Sequence, residues 1–123
     1  MLTGDASTAP QVQATLLDDI RESHCGLLPE AQMPAMLAVQ QQRDRGMAES
    51  LLAAPTPAVL LAGAFHVRKD LGVPLHLKDL GAGEGNAVLV LAEVGKTVTA
   101  ESADYVWYTA AQPAQDHCAK LRQ

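Results

Sequence analysis

Between Pro10 and Gly26 the apolar residues Val12, Leu16, Leu17 and Ile20 recur at helical spacing, while Asp18, Asp19, Arg21 and Glu22 fall off that stripe. The spacing predicts a first helix, opened by Pro10, capped by Ser7 or Thr8 and stopped by Gly26. A second helix is predicted from Pro34 to Ala53, with a stripe of Met33, Met36 or Leu37, Gln40, Asp44, Met47 and Leu51. Gln40 and Asp44, with Arg43 alongside, cut a polar notch into that face, and buried polar groups need partners. Pro55 and Pro57 mark a loop. The uninterrupted apolar run at residues 58–62 then predicts a strand buried on both faces. Residues 66–72 suit a short helical turn, and Val73-Pro74 is expected to reset the chain, because a residue before proline avoids the helical region. Leu75, Leu77 and Leu80 form a further apolar patch, with His76 read as a surface residue. Gly81-Ala82-Gly83-Glu84-Gly85-Asn86 is a turn. It precedes a strand instead of leading from strand into helix, which is the wrong context for a phosphate loop. Residues 87–94 predict a second buried strand and residues 104–108 a last one.

The order helix, helix, strand, short helix, strand, strand predicts an α/β fold: a partial three-stranded, mostly parallel sheet with two amino-terminal helices. So small a sheet leaves open edges, which implies part of a larger α/β domain or a protomer that needs a partner. The 123 residues allow one domain, with residues 1–10 as a flexible lead-in and 11–123 as the folded unit. Only four aromatic residues are present, Phe65, Tyr105, Trp107 and Tyr108, so the core must be built of Leu, Val, Ala and Met. A net charge of -5 without any basic stripe argues against nucleic acid. No apolar run is long enough for a membrane-spanning helix. Residues 1–10 lack the cationic start and apolar stretch of a signal peptide. Cys25 and Cys118 are a bridge in an exported protein and two free thiols in a cytosolic one.

Polar chemistry concentrates between Gly63 and Pro74. In an open α/β sheet ligands lie beyond the carboxyl ends of the strands, which would place His66 there with Arg68 and Lys69 beside it. Nucleophilic hydrolysis lacks a Gly-x-Ser-x-Gly elbow. Zinc finds no matching ligand spacing, since His24-Cys25 and His117-Cys118 are adjacent pairs, and His24 reads as a partly buried or capping residue at the end of the first helix. His66 with Asp70 could serve general acid–base chemistry. A flat, anionic, iron-bearing ligand fits the residue types better. Haem needs apolar contact for its macrocycle, an axial donor for iron and cations for its propionates. The chain offers Met33, Met36 and Met47, phenols at Tyr105 and Tyr108, and donors at His66, Arg68 and Lys69. Strand alternation puts the two tyrosines on opposite faces.

Ser23-His24-Cys25-Gly26, Leu28-Pro29, then Met36, Gln40, Arg43-Asp44 and Met47-Ala48, and above all the run from Leu60 to Pro74 followed by Ala103-Asp104-Tyr105-Val106-Trp107, resemble the carboxyl-terminal half of the ChaN-like haem-binding lipoproteins. That family resembles a wider group with erythromycin esterase-like and Tiki-type proteins. The resemblance implies a haem-binding role in bacterial iron acquisition within the cell envelope, periplasm or outer membrane. It implies capture at a homodimer interface, where a tyrosine ligates iron and a histidine and lysine from the other subunit hold the propionates. Carried onto this sequence, His66 and Lys69 are the propionate pair, Arg68 assists, and Tyr105 ranks before Tyr108 as iron ligand. The family's amino-terminal half, signal peptide and lipidation cysteine have no counterpart here, which implies an incomplete domain whose membrane attachment would lie elsewhere. A metal-dependent hydrolase-like domain, or a truncated partner subunit without activity of its own, are the rival expectations.

Overall fold

The structure, a computed structural model, describes residues 5–122. Helix α1 spans Pro10–Ser23 and buries Leu16 and Ile20. Its N-cap is Ala9, with no side-chain cap. Neither expected cap, Ser7 or Thr8, holds that position; Ser7 is instead buried, and its hydroxyl donates to Asp79 Oδ2. The backbone N–H groups of Ala6 and Ser7 donate to the same carboxylate. Burial works to raise the pKa of Asp79, but these three hydrogen bonds to its charged form outweigh that and hold it below the ordinary carboxylate range. At the other end His24 Nδ1 lies 2.8 Å from the Ile20 carbonyl, which accepts from it as a helix cap.

Helix α2, Met33–Ala53, buries Met33, Gln41, Asp44 and Ala48. The notch is therefore turned by one residue from the expected stripe: Gln41, not Gln40, faces inward. Its amide donates to the Ser7 carbonyl at 2.7 Å, so the lead-in and the notch satisfy each other.

Residues 58–62 form no regular element and pair with no strand among the described residues, and Val59 and Leu61 are 85% and 90% exposed. The predicted central buried strand is thus an unpaired segment, and the sheet has two strands rather than three. An apolar run makes a strand only where a neighbour completes its ladder of hydrogen bonds.

After the short helix α3 (Ala64–Val67), helix α4 runs Val73–Asp79 with Pro74 in its first turn. The Val73-Pro74 pair begins a helix instead of resetting the chain, because a proline there removes only an N–H that would have no intrahelical partner. Val73, His76 and Leu77 share the inward face of α4, and Val73 and Leu77 pack with Ala48 of α2. His76, expected at the surface, is fully buried, and neither ring nitrogen has a partner among the described residues.

Burial lowers the His76 pKa, against a smaller opposing pull from Asp79. The unfolded chain then takes up a proton more readily than the folded one. Stability is fully present above the unfolded value, roughly pH 6.5, and is lost as pH falls from there through the folded pKa. Substituting His76→Leu is expected to flatten that dependence and to raise stability by about 1–2 kcal/mol, since two orphaned polar atoms leave the core. Urea unfolding at pH 7.5 and pH 5.5 checks this; an unchanged pH dependence in the variant would show that another group is responsible.

Strands β1 (Leu89–Glu93) and β2 (Tyr105–Thr109) are parallel, in the register Leu89↔Tyr105 through Glu93↔Thr109. Val90 packs inward with Val88 and Ala103. The opposite face, with Leu89, Leu91, Tyr105 and Trp107, is exposed, so the sheet is covered on one side only, not buried on both. Cys25, just past α1, is bridged to Cys118, which ties the carboxyl-terminal turn Ala119–Arg122 to the helical layer.

Candidate functional site

The turn after residues 58–62 is built by α3 and by the tight return to α4. His66 Nδ1 lies 2.6 Å from Asp44 Oδ1, so the notch in α2 finds its second partner twenty-two residues downstream. Asp70, expected beside His66, instead takes both Arg68 donors, at 3.0 and 2.6 Å. Lys69 Nζ donates to Asp104 Oδ1 at 2.7 Å, and the Lys69 N–H donates to the Ser102 carbonyl. The hydrogen bond from Lys69, then that from the Val88 N–H, depresses the Asp104 pKa.

These contacts reverse one expectation. Asp104 and Val88 stand just before β2 and β1, so the Lys69 end of the turn sits at the amino ends of the strands, not beyond their carboxyl ends. With residues 58–62 outside the sheet, the strand-end rule has no strand on which to act.

Asp44 is fully buried, and its Oδ2 has no partner among the described residues. Burial raises its pKa and outweighs the stabilising contact with His66. Its geometric effect is plain: Nδ1 is fixed toward α2, and Nε2 is left as the ring atom without a partner among the described residues. His66 lines a cleft of about 620 Å³, walled by Met47, Leu51, Leu60 and Val59, with Arg43 at its rim. The volume lies within the roughly 300–1,000 Å³ of small-molecule sites. Arg43 is exposed and has no hydrogen bond or ion pair among the described residues. It is the residue that sequence reasoning placed beside the notch without giving it a ligand, and its freedom contrasts with the paired Arg68 and Lys69.

Tyr105 and Tyr108 do not join this cleft. Tyr105 opens the bare face of the sheet beside Leu89 and Trp107 and is 65% exposed; Tyr108 points to the other face and is half-exposed. The structure therefore brings His66, Arg43 and an apolar wall together, keeps Lys69 and Arg68 on the same turn, and leaves both phenols apart. Measured against haem, the donor set fits: apolar surface, free nitrogen and guanidinium at the cleft, and an accessible phenol on the exposed sheet face. Cys25 and Cys118 lie elsewhere, at the end of α1.

Residues 2–77 match the family model described as haem-binding uptake, Tiki superfamily, ChaN. No curated protein matches the chain. A solved structure of cofacial heme binding to ChaN of Campylobacter jejuni is similar over 86% of this chain, at 34% identity and a TM-score of 0.76. The chain spans 42% of that protein's length. A family model that covers more than half of the sequence, joined to a shared mixed α/β fold at this identity, establishes that the chain belongs to the ChaN haem-binding uptake family of the Tiki superfamily.

Proposed function

We propose that this chain captures haem between two copies of itself, in iron acquisition at a bacterial cell envelope, by binding rather than by catalysis. Tyr105 of one copy supplies the phenolate to ferric iron. The turn of the other copy, with His66 and Lys69 assisted by Arg68, holds the propionates. Arg43 adds the guanidinium that carries no partner among the described residues. Bound haem would supply the iron and its ligand exchange; the protein supplies orientation, charge and exclusion of water. The observation that carries this reading is the separation itself. The imidazole nitrogen and its apolar wall form a cleft that Tyr105 does not line, while the Tyr105 phenol stands exposed on the sheet, so a second copy is the simple way to bring both to one macrocycle. Cofacial haem in the Campylobacter jejuni relative supports it.

A haemin titration followed by absorbance and size-exclusion chromatography tests the proposal. The wild-type chain is expected to give a shifted Soret band at micromolar haemin and to move toward dimers. Tyr105→Phe should weaken binding by roughly tenfold or more, about 1.4 kcal/mol, and Tyr108→Phe much less. Asp44→Asn, which leaves the ring of His66 in place but removes its charged anchor, should weaken propionate capture without moving the iron-ligand bands. A folded protein that leaves the haemin spectrum unchanged would reject the proposal.

A further inference from the structure

Cys25, His117 and Cys118 gather at the carboxyl end of α1, and none of them lines the His66 cleft. Their two sulfurs and an imidazole nitrogen lie within 4.8 Å of one another. In the structure the sulfurs are joined, across a Cα–Cα distance of 5.6 Å. Disulfide sulfur is a poor ligand, whereas two thiolates and an imidazole are the donor set of soft d10 cations.

We propose that reduction of the Cys25–Cys118 bridge converts this corner into a binding site for a thiophilic divalent cation of the zinc class, held by both thiolates and by His117. A dithiol reductant supplies the electrons. Its thiolate attacks one sulfur, the other cysteine leaves as thiolate, and the second thiol of the reductant then displaces the first. Two electrons pass to the chain and the reductant ends as a disulfide. Binding of M2+ to the resulting thiols expels two protons, and water fills the remaining position.

Three features favour the cation here. In a tetrahedral site with metal–sulfur bonds near 2.3 Å the sulfurs sit about 3.8 Å apart, a small opening from the bridged geometry that side-chain rotation can supply. His117 is exposed and free to swing its ring toward them, and Cys118 is buried, which shields one arm of the site from water. The corner also stands at the carboxyl end of a fourteen-residue helix, where outward carbonyls favour positive charge and disfavour a bare thiolate. Cys25 itself holds φ 60, a left-handed conformation rare outside glycine, which fixes its sulfur past the last turn of the helix.

Cadmium ion provides the optical probe, titrated into protein reduced with a trialkylphosphine and into the oxidised protein. The reduced chain is expected to develop a thiolate-to-cadmium charge-transfer band that saturates at one ion per chain, and the oxidised chain none. His117→Ala should weaken the affinity by roughly tenfold or more, since loss of a direct ligand costs at least what loss of an outer partner does. Circular dichroism separates binding from unfolding. If reduction loosens the fold, recovery of the native spectrum on adding cadmium supports the site. A reduced chain without the band, a band in the oxidised chain, or a band indifferent to His117→Ala overturns it.

Discussion

Replacing Cys25 and Cys118 together by serine is expected to remove about 4–5 kcal/mol of stability, the largest single effect in the molecule. The bridge spans 93 residues of sequence. In the chain-entropy account, opening so long a loop returns that much conformational freedom to the unfolded chain. The loss matters because the apolar core is thin. One cluster is Ala48, Val73 and Leu77, and the other is Val88, Val90 and Ala103. Small domains of this kind stand only about 5–15 kcal/mol above unfolding. Urea titrations of the wild type, oxidised and reduced, beside the double serine variant measure the difference. The reduced wild type should match the variant in the absence of metal. A shift below about 1 kcal/mol would mean that the native geometry offsets the entropic gain.

Gly72→Ala is expected to cost about 2–4 kcal/mol and to impair haemin binding as well. Gly72 closes the loop on which His66, Arg68 and Lys69 stand: its N–H donates to the Arg68 carbonyl, and its carbonyl accepts from Leu75 at the start of α4. A Cβ at this position would overlap the backbone carbonyl of His66. The obstacle is backbone rather than a flexible side chain, so relief requires the turn to open, and overpacking of this kind is among the costly substitutions. Opening it would pull His66 from Asp44 and Lys69 from Asp104. Gly46→Ala is the matching control. It lies inside α2 with open space where its Cβ would go, so alanine there should gain roughly 0.5–1 kcal/mol. Chemical unfolding of both variants tests the contrast, and haemin titration of Gly72→Ala tests the effect on binding; equal stability of the two would remove the case for a close approach at Gly72.

Much of the helical layer was legible beforehand because helix signals are local. The period of Leu16 and Ile20, the proline at position 10 and the glycine at 26 all act within a few residues of one another. The requirement that Asp44 find a partner was legible too, since a carboxylate on an apolar face cannot remain unpaired. Its partner was not. Asp70 is four residues from His66 and looked nearer, yet it is held by Arg68, and packing of α2 against the turn brings Asp44 instead. His76 follows the same rule. Taken across Pro74, the residues Val73, His76 and Leu77 form one helical stripe, and reading the proline as a break hid it.

By itself, the sequence determined the two long helices, the two late strand segments and the cluster of cationic and imidazole groups on one turn. Each of these follows from torsional preference and from burial of periodic apolar side chains within a short span. Only the tertiary structure decided that residues 58–62 stay outside the sheet, that Asp44 orients His66, that Arg43 has no partner among the described residues, and that neither phenol lines the cleft. Those outcomes depend on which distant groups share a hydrogen bond or exclude the same water, and no local pattern carries that information.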